Sequence, residues 1–273
     1  VHLLRKQVKD WRDSGYDGVS ETSKTLLNWW FNNDHPVTHA DGSITDFQYY
    51  FAQREAVETI IYLHENVKVI DKHDMMRFAS EDSPISPQMF EESWRRYVIK
   101  MATGTGKTKV MSLILAWAYF HKKYEEDSDL AKNFLLIAPN IIVLDRLRSD
   151  FDGLKIFSED PIIPENGTNG KNWKSDFQLT LHIQDNINAL NPDGNIFLTN
   201  IHRVYESKDT QPSADDENTL DYFLGEKPTG QTTDSQVDLG GIVRDIDELI
   251  VINDEAHHIH DSKLAWFKSI EDI

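Results

Sequence analysis

Apolar positions in the first part of the chain recur at roughly helical spacing. Leu3, Leu4, Val8 and Trp11 predict a first helix, which Ser14-Gly15 ends. Ser20 or Thr22 can cap a second helix carrying Leu26, Leu27 and Trp30, before residues 32–42 break it. A long third helix is predicted from about residue 46 to residue 65, with Tyr50, Val57, Ile60, Ile61 and His64 near one face. Residues 67–93 are less regular, and Pro84 and Pro87 mark a loop. Beyond them the pattern changes. Short apolar runs at 97–99, 134–138, 177–183, 195–199 and 249–252 read as strands, with helices over 108–120 and 141–151. The run Leu249-Ile250-Val251-Ile252 is aliphatic throughout, as in a strand buried on both faces. Strands alternating with helices predict an α/β fold, a parallel sheet flanked by helices. Residues 207–240, rich in Asp, Thr, Ser, Gly and Pro, read as a surface insertion.

Composition narrows the setting. At 273 residues, 39% hydrophobic and 11% aromatic, the chain can bury a core as one large domain with an accessory piece. The absence of cysteine excludes disulfides and thiolate metal sites and fits a reducing compartment. No apolar run approaches the ~20 residues of a membrane span, and the first nine residues carry charge rather than a signal-peptide core. A cytoplasmic location without a membrane partner is therefore expected. The chain begins at Val1 rather than Met and reads as a fragment. Twenty-eight Lys and Arg against 46 Asp and Glu leave a net charge of −18. Nucleic-acid binders usually show a basic footprint, so any such contact must be local.

The strongest chemical signal is Met101-Ala102-Thr103-Gly104-Thr105-Gly106-Lys107-Thr108, placed between a predicted strand and a predicted helix. Glycines let backbone N–H groups close around phosphate oxygens, and the helix N-terminus adds the positive end of its dipole. Lys107 supplies a mobile cation to the β- and γ-phosphates, and the Thr108 hydroxyl can ligate Mg²⁺. Met101 stands where the usual pattern has glycine, but Gly104 and Gly106 keep the tight part of the loop. The plainer alternative is a glycine turn that happens to contain Lys-Thr.

A second signal follows the last aliphatic run, Asn253-Asp254-Glu255-Ala256-His257. A carboxylate at the end of a buried strand can hold Mg²⁺, which makes Asp254 a metal candidate. Glu255 is then placed to orient and deprotonate an attacking water. An acidic strand-to-loop turn is the alternative. His257, His258 and His260 also invite a zinc reading, yet their spacing is not His-Glu-x-x-His, and a polar histidine cluster explains them as well.

These residues resemble the motifs of superfamily 2 helicases and translocases. The loop at 101–108 is similar to their motif I, and Asp254-Glu255-Ala256-His257 spells the DEAH form of motif II. Phe51-Ala52-Gln53-Arg54-Glu55 resembles the glutamine motif that reads adenine, a task an amide can perform by donating and accepting at once. Leu135 to Asn140 is similar to motif Ia and Ile196 to Asn200 to motif Ib, which in the family contact the sugar-phosphate backbone; Pro139, Asn140, Thr199 and Asn200 are the matching positions. More narrowly, the loop, the Gln53 segment and the Asp254 run resemble the restriction subunits of type III restriction enzymes.

The resemblance, over about residues 46–261, implies a RecA-like ATP-binding domain preceded by a helical extension at 1–45, with insertions at 67–93 and 207–240. Residues Thr103, Gly104, Thr105, Gly106, Lys107 and Thr108 would cradle ATP, Thr108 and Asp254 would hold Mg²⁺, and Glu255 would activate water. His257 would couple the site to a second RecA-like domain. Gln53 lies 54 residues before Lys107 (107 − 53), farther than the usual spacing, so residues 67–93 must be inserted between them. The second RecA-like domain with its arginine finger, and any nuclease domain, are expected outside residues 1–273. The chain alone is expected to hydrolyse ATP slowly. The implied partners are DNA, single-stranded or duplex, and a methyltransferase subunit. An RNA helicase or remodelling ATPase of the same superfamily, and a nucleotide-dependent scaffold without motor activity, are the alternatives.

Overall fold

The computed structural model describes residues 2–70, 74, 75, 78, 95, 97–183, 189–200 and 246–254. The predicted insertion at 207–240, most of 67–93, and Glu255, His257, His258 and His260 lie outside the described residues. The chain divides into two compact units, one formed by residues 1–127 and 160–174, the other by 128–159 and 175–273.

In the first unit, helix α1 (His2–Asp13) buries Val8 and Trp11 and stops where Gly15 takes a positive φ. Helix α2 (Glu21–Asn32) starts at Ser20, whose hydroxyl accepts the Ser23 N–H at 3.1 Å and satisfies one of the free donors of the first turn. The predicted third helix begins later than expected. Pro36–Thr38 (β1) and Ile44–Asp46 (β2) pair as an antiparallel hairpin, and the Asp46 carboxylate accepts the His35 N–H at 2.6 Å. Asp46 is thereby committed to a strand, and helix α3 runs over Phe51–Ile61, continued by a π-helical turn at Tyr62–Asn66. Hairpin residues are exposed on every side, so no apolar alternation announced them. Helix α4 (Lys107–Tyr124) is buried along most of its length, with Leu113, Leu115, Trp117, Tyr119 and Phe120 inside.

Two largely enclosed carboxylates tie these helices together. Glu58 on α3 is fully buried and receives the guanidinium groups of Arg12 and Arg54 and the Tyr16 hydroxyl. Glu65, in the π-helical turn, accepts from the Ser20 N–H at 2.8 Å, from the Ser23 hydroxyl and from Trp117 Nε1 at 3.2 Å, and lies 3.5 Å from His121 Nε2. Glu125, just past the end of α4, adds a third such tie by accepting the Thr22 N–H at 3.2 Å.

The second unit holds a four-stranded parallel sheet in the order β4-β5-β3-β6, from Asn133–Ala138 (β3), Thr180–Ile183 (β4), Asn195–Asn200 (β5) and Ile250–Asn253 (β6). Helix α5 (Ile141–Phe151) follows β3 after Pro139 and packs on β3 and β5 through Leu144, Leu147 and Phe151. This is the predicted α/β arrangement, with three differences. Residues 97–99 are not a strand; Val98 and Ile99 are exposed and pair with nothing among the described residues. Strand β4 begins at Thr180 rather than at residue 177. Strand β6 is half-buried rather than buried on both faces, because it is the edge of the described sheet with a neighbour on one side only. None of the described helices is long and apolar enough to cross a membrane.

Burial alone would raise the Glu65 carboxyl, but hydrogen bonds from His121, Ser20 and Ser23 outweigh it and hold the group down at about 2, against an ordinary 4.5. A folded value below the unfolded one stabilises the protein above pH 4.5. That contribution, about 3 kcal/mol, fades as pH falls from 4.5 towards 2. Thermal melts from pH 7 to 2.5 should therefore show Glu65→Gln destabilised at neutral pH, with the gap to the parent chain closing in acid. A gap independent of pH would remove Glu65 from this role.

Candidate nucleotide site

The glycine loop at 101–106 belongs to the first unit. Gly104 and Gly106 both adopt left-handed φ, +80° and +79°, and Gly106 caps the N-terminus of α4. The Thr105 hydroxyl donates to the Ala102 carbonyl at 2.7 Å, holding the turn closed. Ala102, Thr103 and Gly104 are exposed, while Lys107 and Thr108 are half-buried in the first turn of α4. The loop therefore presents backbone N–H groups and the helix dipole to solvent, the geometry that receives an anion.

Gln53 is brought directly to this loop. It is 2% exposed and sits at the third position of α3, where its Oε1 accepts the Tyr50 N–H at 2.8 Å. Its Nε2 donates to the Thr105 carbonyl at 3.0 Å. One side chain thus ties the helix start to the loop. A Cβ built on Gly106 would stand 2.2 Å from that Nε2, so glycine is required there for close approach as well as for φ. At Gly104 only φ requires it, since nothing lies within 4 Å.

Beside Gln53 opens a pocket of about 330 Å³ whose walls include His39, Asp46, Phe47, Tyr50 and Lys109. Lys109 pairs with Asp160 and lies 5.3 Å from the centre of the Phe47 ring. Sequence reasoning missed this pocket. Beyond Gln53, the signal available in the sequence was Lys109, two residues after Lys107 at the start of the same helix; the hairpin wall carried none.

The second unit gathers a different set. Parallel pairing aligns Ile137 with Thr199 and with Asn253, so the C-terminal ends of β3, β5 and β6 share one edge of the sheet. Ligands of open α/β sheets bind beyond that edge. Pro139 and Asn140 follow β3 there, and the Asn140 side chain accepts the Val143 N–H at 3.0 Å as the cap of α5. Thr199 is fully buried with its hydroxyl 3.3 Å from the Asn200 carbonyl, while Asn200 is half-exposed at the strand's end. Asp254 directly follows β6; its N–H donates to the Ile137 carbonyl at 3.1 Å, and its carboxylate receives Arg146 of α5 at 3.1 Å.

Thr108 and Asp254 are both oxygen donors, the chemistry Mg²⁺ selects. Among the described residues no three His, Cys, Asp or Glu side chains gather as a protein cage for a metal, and Mg²⁺ is commonly held by one or two protein oxygens together with phosphates and water. That Asp254 draws a cation to a nearly buried carboxylate also fits such an ion.

Residues 46–273 match the family described as type III restriction enzyme, res subunit. The chain belongs to this family. Its members share a helicase-like ATP-binding motor domain of RecA-like α/β fold, of which the parallel sheet described above is part. No curated protein and no solved structure gives a match.

If Gly106 is constrained by Gln53 as well as by φ, the two glycines of this res-family loop respond differently to alanine. Gly104→Ala should lose only the left-handed preference, about 1–2 kcal/mol, in urea denaturation. Gly106→Ala should lose more, and the excess should vanish when Gln53 is also changed to Ala. Equal losses at the two positions would mean that the Gln53 contact is dispensable.

Proposed function

We propose that the chain is the ATP-binding motor domain of a DNA translocase of the type III restriction kind, coupling ATP hydrolysis to movement along DNA. The observation that carries this reading is the Gln53 amide held against the carbonyl of Thr105 in a glycine loop, beside an open pocket. A base-sized cavity and a phosphate cradle linked by one amide suit a purine nucleotide, and family membership supports ATP as that nucleotide.

In this reading the N–H groups of 103–108 and the Lys107 ammonium receive the phosphates. The pocket takes the base, with the Phe47 ring and the Lys109 stem as apolar walls. Gln53 keeps its bond to Thr105 and turns its remaining amide hydrogen and lone pair to the adenine edge. Thr108 and Asp254 supply oxygens to Mg²⁺, which when bound contributes positive charge against the β- and γ-phosphates. Glu255, next to Asp254, accepts a proton from the attacking water. His257 relays the state of the site to a second RecA-like domain.

DNA is the proposed track. Asn140 and Asn200 offer side-chain and backbone polar groups at the sheet edge that phosphates can meet, and Pro139 makes the turn from β3 to Asn140. The buried Thr199 acts through the backbone position of Asn200. With a net charge of −18, binding to DNA should be weak and should fall steeply with salt.

Lys107→Ala should abolish ATP binding in calorimetric titration while leaving the melting curve unchanged, since Lys107 is half-buried at a loop–helix junction and outside the apolar core. Unchanged ATP affinity in that folded variant would sink the nucleotide site. Gln53→Ala should weaken both ATP and GTP, because the loop loses its tether, but ATP by several-fold more. The base-specific part is one hydrogen bond, roughly 0.5–1.5 kcal/mol. Equal losses for the two nucleotides would take Gln53 out of base recognition.

A further inference from the structure

Asp254, the residue after β6, has its side chain 3% exposed, whereas its partner Arg146 is 56% exposed. A carboxylate withdrawn from water to that degree is costly without a cation beside it. Arg146 provides one from the second turn of α5, Nη2 to Oδ2, at 3.1 Å. On the ATP·Mg²⁺ reading above, on which this inference rests, the same carboxylate is the one that meets the metal.

We propose that Arg146 is the internal counter-cation of Asp254 in the metal-free protein and that Mg²⁺ competes with it for that carboxylate. Arg146 is a positioning residue. It holds the carboxylate at the sheet edge while no metal is present and swings into solvent when the dication arrives.

The asymmetry of exposure supports this order of events. Arg146 has most of its side chain already in water, so leaving costs it little desolvation. Asp254 cannot follow, because its N–H is tied to the Ile137 carbonyl and its side chain is enclosed. A guanidinium and a dication on one enclosed carboxylate would also repel each other, more strongly there than in bulk water. The pairing has a further consequence for the chain. Arg146 rides the helix that Asn140 caps, so occupation of the metal site changes what α5 is fastened to.

The test is the Mg²⁺ dependence with which the chain binds a fluorescent, non-hydrolysable ATP analogue. Arg146→Gln and Arg146→Met remove the charge and keep most of the side-chain stem, and Arg146→Lys keeps the charge. At an exposed position all three are compatible with folding, which thermal melts in metal-free buffer would check. The Mg²⁺ concentration at half-maximal analogue binding should fall roughly ten-fold in the Gln and Met variants and stay near the parent value in the Lys variant. Melts should show Mg²⁺ stabilising the neutral variants more than the parent chain. If the parent chain binds the analogue with Mg²⁺ and the neutral variants need as much Mg²⁺ or more, the competition is wrong and the nucleotide site stands. If the parent chain shows no Mg²⁺-dependent binding of the analogue, the nucleotide reading and this inference fall together.

Discussion

A strand with hydrogen-bonded neighbours on both edges and side chains covered on both faces has no room for polar atoms, and β3 is such a strand. Every residue from Phe134 to Ala138 is buried and apolar, and the strand pairs in parallel with β5 on one side and β6 on the other. Burying a large aliphatic side chain contributes roughly 1.5–3 kcal/mol, so this short run is a main source of order in its unit. Parallel pairing then dictates where chemistry can sit. All the strands end on one edge, and residues as distant in sequence as Asn140, Asn200 and Asp254 are delivered to it by the register alone.

The first unit rests on a different device. Its helices are fastened by two enclosed carboxylates rather than by apolar packing alone, Glu58 to two guanidinium groups and a phenol, Glu65 to hydroxyl, amide and indole donors. Such groups are costly to leave unpaired, which makes the arrangement specific. Arg54, next to Gln53, is pinned to Glu58, so the first turns of α3 are held in place. That stiffness lets the Gln53 amide keep its contact with the loop while Gly104 remains exposed.

The proposed chemistry follows from how these fastenings leave the functional groups. The loop amides and Lys107 carry positive potential at a helix N-terminus, and Gln53 bridges that loop to a pocket with an aromatic wall. In the other unit, Asp254 keeps a carboxylate in place at a sheet edge with Arg146 as its cation. Each arrangement stabilises its unit and holds a reactive group out of free solution.

Much of this was legible in the residues. The helix at Ile141–Phe151 lies where its apolar spacing put it, and β3 and β5 lie within one residue of their predicted bounds. The glycine loop lies at the start of the helix predicted to follow it. These features come from local rules, namely periodicity, a proline stop and a capping side chain, which act between residues close in sequence. The hairpin at 36–46 was not legible, because strands exposed on every side show no alternation of apolar and polar positions. Nor was the coil at 97–99, since an apolar triplet becomes a strand only if a neighbour exists to pair with it. The family signature was also written in the sequence, as Lys107, Thr108 and Asp254 at the ends of predicted elements. What only the tertiary structure decided is which side chains meet: Gln53 with Thr105, 52 residues apart, and Arg146 with Asp254, 108 apart. Neither contact follows from spacing along the chain, because each depends on the path of the backbone between its partners.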